Sequence, residues 1–515
     1  MGGMMQANER RAGIVLSYLW IGLNSVVGLL FTPFLLRSLG QAEFGLYQLI
    51  SSFLGFLVIL DFGIGATITR YVAKYREEHD KGGEENFLVM CLLIYSMIAA
   101  TVLALGALAY IYLDQIFADS LTPSELSKAK TMFVILVFSV AATIFDKAIQ
   151  GALSGCERFV FPRTISLTRI CVKIPVLIVL LLSGLGAVAV VATEAAINVA
   201  VLVVNTVYAF EKVNLRVRLH HWDKVLFTET LAFSFFVFLG LFATLLWWRM
   251  PQFLLGVMTS TTIVAVFAVA MQLNALYQSL ATVIAGVFLP KATQLVLRGA
   301  SGEDLTSFMI APSRYQLMLL GGLLSGFVLF GRQFVVLWAG PSYEGAYAIA
   351  VTVMVPITIP LTQTLGTCIL QAKNRHAFRS VLYLIIAICS TILSIFLIKQ
   401  YGAIGAAAGT AGAIIAGNIV IMNCYYHYKI GLNIPRFLRE LCRGILPVIL
   451  VASGLGYLFL FPLRGSWGTL ATRCILFAAV YSLLLCLFGM NRSEKQFFLS
   501  CTVAGLRMVG LRVRT

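Results

Sequence analysis

Charged side chains are scarce in this sequence. Asp, Glu, Lys and Arg make up 12% of its 515 residues, about half the share of a soluble globular domain. Hydrophobic residues make up 60%. Such a chain cannot cover a folded surface with polar groups in water, which excludes a soluble enzyme, a secreted module and a disordered scaffold. The composition therefore predicts an all-α polytopic membrane protein.

The cysteines and histidines lack the patterns that disulfide frameworks and metal sites require. No Cys-x-x-Cys pair occurs, most of the ten cysteines lie in apolar runs, and the five histidines are scattered. We therefore expect no disulfide framework and no metal site. We also expect no bound cofactor, and the sequence leaves the coupling ion open between a proton and a sodium ion.

Long apolar runs fill most of the chain. A helix needs about 20 apolar residues to cross the hydrocarbon core, and fourteen runs of suitable length lie between residues 12 and 489. If both termini and every second loop face the cytosol, those segments hold 27 of the 38 Lys and Arg residues, as the positive-inside rule requires. We expect fourteen spans with both termini in the cytosol. This orientation explains most of the net charge of +16, so nucleic acid is not an expected partner.

Part of the chain repeats itself at an offset of 217 residues. The matched pairs are Leu153 and Leu370, Arg158 and Arg375, Phe161 and Phe378, and Thr193 and Thr410. With the orientation, the repeat predicts six-helix lobes at 1–210 and 226–430, a cytosolic linker at 211–225, and two added helices with a basic cytosolic tail at 431–515. Parallel repeats favour alternating access, in which two lobes rock about a site between them. A duplication retained as scaffold is the alternative.

Three motifs resemble a known transporter superfamily. They are the turn Leu39-Gly-Gln-Ala-Glu-Phe-Gly45, the segment Leu60-Asp-Phe-Gly-Ile-Gly-Ala-Thr-Ile-Thr-Arg70 and the turn Gly155-Cys-Glu-Arg158. These segments are similar to the multidrug/oligosaccharidyl-lipid/polysaccharide (MOP) exporter superfamily, in its branch of O-antigen and capsule repeat-unit flippases. The resemblance covers most of the chain and implies the same architecture of two six-helix lobes and two added helices.

The resemblance also implies a function. Members of this branch move undecaprenyl-pyrophosphate-linked oligosaccharides from the cytosolic to the periplasmic leaflet of the bacterial inner membrane, and lipid II flippases are close relatives. It implies a lipid-linked O-antigen, capsule or exopolysaccharide repeat unit as substrate. The lipid bilayer and other polysaccharide assembly proteins are the implied partners, and no enzymatic activity is implied.

Six ionisable residues lie deep in predicted spans of the first lobe, where each costs a few kcal/mol unless it faces a polar cavity or a partner. They are Asp61, Asp146, Lys147, Arg169, Lys173 and Glu194. Arg169 and Lys173 are four residues apart and share one helix face, so that two cations in a low-dielectric cavity would bind a pyrophosphate. Alternatively, they pair with Asp146 or Glu194 and hold the lobe together. We expect the deep positions of the second lobe to be neutral.

Polar residues extend this candidate site. Glu194, Asn198 and Asn205 form one stripe on the sixth span, because successive α-helical residues are about 100° apart. The stripe either lines a sugar path or makes interhelical hydrogen bonds. Asp61 is either a gate or proton site or a structural carboxylate, and it is too far along its helix from Arg70 for the two to pair.

Two arginines near helix ends have simpler alternatives. Arg158 lies at the predicted cytosolic mouth, where it would attract the anionic substrate, although the positive-inside rule explains it equally well. Arg249 lies beside Trp247 and Trp248. We expect it to anchor the outer membrane interface by snorkelling, with a role in sugar release as the alternative.

Two other functions compete with the flippase. A drug/cation antiporter of the same superfamily would need buried acid, commonly an Asp in the first span, whereas residues 12–36 contain no acidic residue. An enzyme that polymerises or ligates lipid-linked sugars would need a large outer loop or a surface carboxylate pair. No Asp-x-Asp occurs and the predicted outer loops are short. The buried cation pair therefore favours transport of an anionic substrate.

Overall fold

A computed structural model describes residues 2–221, 224–373, 375–460 and 466–496, and all structural statements here concern these residues. Within them the chain forms helices and no strand. The helices are α1 Gly2–Val58, α2 Ile64–Glu77, α3 Lys81–Ile116, α4 Pro123–Gly155, α5 Val160–Leu182, α6 Ala187–Glu211, α7 Lys224–Met258, α8 Thr261–Leu297, α9 Gly302–Trp338, α10 Ala346–Thr362, α11 Thr364–Ala372, α12 His376–Ala413, α13 Met422–Tyr425, α14 Ile434–Cys442, α15 Ile445–Leu460 and α16 Trp467–Leu484. The predicted basic tail beyond residue 496 lies outside the described residues, as do positions 222 and 223 of the predicted linker.

Two of these helices are broken at a glycine, and one of them, α1, is too long for a single crossing of a bilayer. The 57 residues of α1 would extend about 85 Å as one straight helix. However, α1 is broken at Gly40 (φ 73°) and α12 at Gly402 (φ 56°). Both glycines adopt left-handed φ values that residues with a side chain rarely tolerate. Each glycine thus ends one helical segment and starts another in a new direction.

The described residues contain ten helices long and apolar enough to cross a membrane, or eleven if α10 and α11 form one bent span. The predicted all-α polytopic class is therefore confirmed, while the count of fourteen spans stays a prediction. The angle between α10 and α11 is 44°. Two prolines in α10, Pro356 and Pro360, precede this break at Gln363, and each removes a backbone donor from the helix.

The chain divides into two compact units. Unit 1 contains the residues up to Val269 together with Ser380–Thr410, and unit 2 contains Ala270–Arg379 together with the residues from Ala411 onward. The predicted lobe boundaries at 210 and 226 stay predictions.

Close backbone contacts shape unit 1. A side chain at Gly151 of α4 would begin 2.8 Å from the carbonyl oxygen of Gly65 in α2, and one at Gly155 would meet Val72 at 2.7 Å. The Thr69 hydroxyl donates to the Gly151 carbonyl across the same contact at 3.0 Å. Gly65 and Gly155, which belong to two of the three sequence motifs, and Gly151 therefore let α2 lie directly against α4. This contact holds Asp61, just before α2, close to Lys147 of α4.

The repeat predicted from the sequence has a structural counterpart. The N–H of Arg158 donates to the Leu153 carbonyl, and that of Arg375 donates to the Leu370 carbonyl, both at 3.0 Å. The stacked rings are Phe161 on Tyr208, with centroids 3.6 Å apart, and Phe378 on Tyr425, 3.9 Å apart. All these positions correspond at the offset of 217, so the same local geometry occurs twice in the chain.

Candidate substrate-binding site

Glu194 of α6 joins the two cations of α5. Its Oε1 lies 3.3 Å from Arg169 Nη2 and 3.1 Å from Lys173 Nζ. Of the two predicted structural partners, Glu194 is thus the one that is used, and Asp146 is not. One carboxylate cannot neutralise two cations, so the trio keeps a net positive charge. The side chains of Arg169 and Lys173 remain 36% and 28% exposed, which leaves donors available to a ligand.

Arg249 of α7 and Tyr47 of α1 extend this cluster. Tyr47 interacts with both Glu194 and Arg249. The aliphatic stem of Arg249 packs over Gly55, with Cγ 3.8 Å from the position of an added Cβ. No ion pair to Arg249 is present in the described parts of the chain. We define the cationic cluster as Tyr47, Arg169, Lys173, Glu194 and Arg249, which contains three cations and one carboxylate.

The structure bears on the tryptophan beside Arg249, while the expected anchoring of Arg249 at the outer interface stays a prediction. Trp247 is 5% exposed and packs edge-on against Tyr383, with ring centroids 5.6 Å apart. The helix also continues past Pro251 to Met258, so Arg249 lies within α7 and not at its end.

Asp61 and Lys147 form a second charged group in unit 1. Lys147 Nζ donates to Asp61 Oδ2 at 3.0 Å, and the Asp61 side chain is 10% exposed. Arg70 lies apart from this pair on the exposed side of α2, above the ring of Tyr71 at 5.9 Å. The expectation that Asp61 and Arg70 have different partners thus agrees with the geometry.

The polar stripe of α6 makes hydrogen bonds to α4. Asn198 Nδ2 donates to Ser139 Oγ at 2.8 Å, and Asn205 Nδ2 donates to Asp146 Oδ1 at 2.7 Å. Gln150 donates to the other oxygen of Asp146 at 2.7 Å. Of the two alternatives, Asn198 and Asn205 therefore take the interhelical one, while Glu194 faces the cations of α5.

Arg158 occupies a different place from the cationic cluster. Its Nη1 lies 3.1 Å from Glu9 Oε1 of α1. Arg158 lies in the turn between α4 and α5, and both side chains are partly exposed. The ion pair therefore connects that turn with α1. The ten predicted site residues thus fall into separate groups, and Arg169, Lys173 and Glu194 are those that meet in the cationic cluster.

Unit 2 contains a buried ion pair that the sequence did not reveal. Arg314 of α9 and Glu494 are joined by two hydrogen bonds of 2.5 and 3.2 Å, and their side chains are 3% and 4% exposed. Arg314 also donates to the carbonyls of Glu440, Arg443 and Gly489 at 2.6–2.9 Å. This pair is buried within the protein next to the start of the predicted span at 315, and the expectation that the deep positions of the second lobe are neutral stays a prediction.

Within the described residues, no group of three or more His, Cys, Asp or Glu side chains is arranged to hold a metal ion. The carboxylates of the cationic cluster and of the Asp61 pair are each occupied by Lys or Arg. The cationic cluster and the Asp61 pair can therefore bind a charged ligand through ion pairs and hydrogen bonds.

Comparison with known proteins identifies relatives of the chain. The model of a family described as "Polysaccharide biosynthesis protein" matches residues 11–296, more than half of the chain. The probable flippase AglR of Haloferax volcanii is 23% identical over 419 residues, which are 78% of this chain and 81% of that protein.

Solved structures of transporters share the fold. The lipid II flippase MurJ, in an inward closed conformation, aligns with a TM-score of 0.72 at 16% identity, over 92% of this chain and 98% of that chain. A multidrug resistance MATE family transporter of the MOP superfamily, in an inward-facing conformation, aligns with a TM-score of 0.62 at 14% identity, over 77% and 91%. These likenesses confirm the predicted all-α fold of a multi-pass membrane protein.

Proposed function

The chain belongs to the polysaccharide biosynthesis protein family, and we propose that it is a flippase for undecaprenyl-pyrophosphate-linked oligosaccharides. It moves an O-antigen, capsule or exopolysaccharide repeat unit from the cytosolic to the periplasmic leaflet of the bacterial inner membrane by alternating access. Both termini lie in the cytosol, and the substrate leaves chemically unchanged.

The observation that carries this proposal is the excess of positive charge in the cationic cluster. Arg169, Lys173 and Arg249 lie in membrane-spanning helices with a single carboxylate among them. A pyrophosphate offers several charged oxygens to such donors, and charge-assisted hydrogen bonds are stronger than neutral ones. A drug cation would instead need a free carboxylate, and Glu194 is already bound by two cations.

An apolar groove in unit 2 supports a lipid-linked substrate over a free sugar. Its volume is about 870 Å³, and its walls come from α9 and α16. Phe330, Phe477 and Tyr481 are among the side chains that line it. A polyprenyl chain gains free energy from apolar contacts of this kind, whereas a free oligosaccharide would leave its hydroxyl groups without partners there.

Transport by purified protein in liposomes tests the proposal. The probe is a fluorescent oligosaccharide linked through pyrophosphate to undecaprenol, and its movement between leaflets is followed by quenching from outside. We expect the wild type to move the probe without a change in its mass. Replacing both cations, Arg169→Gln with Lys173→Gln, should abolish movement because the cluster then loses its excess positive charge, while the protein level is maintained.

Three comparisons make this test specific. Arg439→Gln removes an exposed arginine of α14 and should leave movement unchanged. Glu194→Gln raises the net charge of the cluster and should tighten the binding of inorganic pyrophosphate. Undiminished movement in the double variant would refute the proposed pyrophosphate site. A probe of altered mass would indicate an enzyme, and flux of a lipophilic cation would indicate an antiporter.

A further inference from the structure

Asp146 is a buried carboxylate without a cationic partner. It is 7% exposed, and its recorded partners are the amides of Gln150 and Asn205. Asn205 is 1% exposed, and its Oδ1 has no hydrogen-bond partner within the described structure. A buried acceptor without a donor costs about 1–3 kcal/mol. The site therefore contains a negative charge and an idle acceptor side by side, and one additional proton would serve both.

The second copy of the repeat has a neutral version of the same contact. Gln363 lies 217 residues after Asp146, and its Nε2 donates to Asn423 Oδ1 at 3.0 Å. Asn423 Nδ2 in turn donates to the carbonyl of Ile419, four residues earlier, at 2.8 Å. Asn423 lies within one residue of the position that matches Asn205, after a π-helical segment. Here the glutamine is the donor and the asparagine the acceptor, which is the reverse of the polarity at Asp146.

This reversed hydrogen bond indicates how the contact between Asp146 and Asn205 would change if Asp146 bound a proton. The fold accommodates an amide at this position of the repeat, so a negative charge is not required for packing. We propose that Asp146 is a reversible proton-binding site whose protonation inverts its hydrogen bond with Asn205. A proton from water adds to Oδ1 of Asp146, and the Asn205 amide rotates by half a turn. Its Oδ1 then accepts from the carboxylic acid, while its Nδ2 faces the Val201 carbonyl, four residues earlier, as Asn423 faces Ile419.

Other titratable groups near α4 do not compensate the charge of Asp146. The elements packed against α4 are α1, α2, α3 and α6. The titratable and charged groups on these elements include Tyr47 on α1, Asp61 before α2, Arg70 on α2, Cys91 and Tyr95 on α3, and Glu194 and Tyr208 on α6. The neighbouring Lys147 is bound to Asp61, and Glu194 is bound to Arg169 and Lys173. In the part of the chain that the structure describes, none of these groups lies within ion-pair distance of Asp146.

Protonation at this site would alter the contact between α4 and α6. Because α6 also carries Glu194, the same helix connects the proton site with the cationic cluster. The role of the proton in coupling rests on the proposed transport function, whereas the proton site itself does not. Binding of the proton is therefore tested in the absence of any transported substrate.

Infrared difference spectroscopy of the full chain in lipid nanodiscs provides this test. Spectra recorded across a pH titration should contain the carbonyl band of a buried protonated carboxyl group, shifted by isotopic labelling of aspartate. The band should be lost in Asp146→Asn, in which the new amide can donate to Asn205 as Gln363 donates to Asn423. The matched control is Asp61→Asn, which removes another buried aspartate and should retain the band.

A second variant covers the case in which Asp146→Asn fails to fold. Asn205→Ala leaves Asp146 in place and removes its acceptor, so the band should persist and move to higher frequency. A band that survives in Asp146→Asn, or that is unchanged in Asn205→Ala, would overturn the proposal, as would the absence of any titrating band. Since no substrate is present, a negative transport assay would leave this result unaffected.

Discussion

Charged side chains of different elements form ion pairs in both units, but the two units differ in how many of the hydrogen-bond donors in these pairs have an acceptor. In unit 2, the five N–H groups of Arg314 are all used, two of them on Glu494 and three on backbone carbonyls. In unit 1, Glu194 is shared by Arg169 and Lys173, both of which remain partly exposed. A fully satisfied and buried pair has nothing left to offer a ligand, whereas the cationic cluster has spare donors and spare charge. The first arrangement suits structure and the second suits binding.

The largest expected effect comes from breaking the buried pair of unit 2. Arg314→Met leaves Glu494 as a buried charge without its partner and removes the donors to three carbonyls. We expect a loss of about 3–5 kcal/mol in the free energy of unfolding, measured by thermal unfolding of the purified chain in detergent. The double variant Arg314→Met with Glu494→Leu should recover part of this loss, because no buried charge remains although the three carbonyls still lack their donors. If the double variant is as unstable as the single one, the unpaired charge is not the cause.

An intermediate effect is expected at the pair of Asp61 and Lys147, in which only the carboxylate is deeply buried. At the offset of 217 the second copy carries Gln278 and Thr364, so the chain itself suggests a neutral substitute. Lys147→Thr alone leaves Asp61 buried without its cation and should cost about 1–3 kcal/mol of unfolding free energy. Adding Asp61→Gln should restore part of it. Thermal unfolding in detergent measures both, and a double variant no more stable than Lys147→Thr would contradict this interpretation.

The fold class and part of the candidate site could be predicted from the sequence, because they depend on local periodicity. Apolar runs of sufficient length predicted the helices, and a spacing of four residues placed Arg169 and Lys173 on one face of α5. Glu194 was one of two carboxylates proposed as partners of Arg169 and Lys173. The helical periodicity placed it in the polar stripe of α6, but it could not predict how α6 is rotated against α5. Asn205 and Asp146 are 59 residues apart, and their contact depends on how α4 and α6 pack.

The unpredicted features depend on still longer separations. Arg314 and Glu494 are 180 residues apart, and no local pattern around either residue indicates that the two side chains meet. The burial of Arg314 is favourable only because carbonyls at the ends of α14 and of the segment after α16 converge on it. Such convergence leaves no pattern in the local sequence.

The smallest expected effect comes from an exposed contact of unit 2. Glu303, at the start of α9, accepts hydrogen bonds from Asn433 and Arg436 at 2.8 and 2.5 Å, and more than half of its side chain is exposed. These hydrogen bonds lower the pKa of Glu303 below its ordinary value, and the bond from Asn433 makes the largest contribution. A lowered carboxyl pKa stabilises the fold above the pKa of the unfolded state, and this contribution is lost as the pH falls through the folded value.

Glu303→Gln should therefore reduce thermal stability slightly at neutral pH, and the difference from the wild type should vanish in the acidic range, where Glu303 is protonated in both states. Added salt should shrink it at neutral pH as well, because exposed charges are screened. Unfolding temperatures of the two chains across a pH series measure the difference. A loss as large as that of Lys147→Thr, or one that persists in acid, would show that exposure does not set the size of these effects. The decrease in the expected loss of stability from Arg314 to Lys147 to Glu303 would then not be explained by how far water reaches each ion pair.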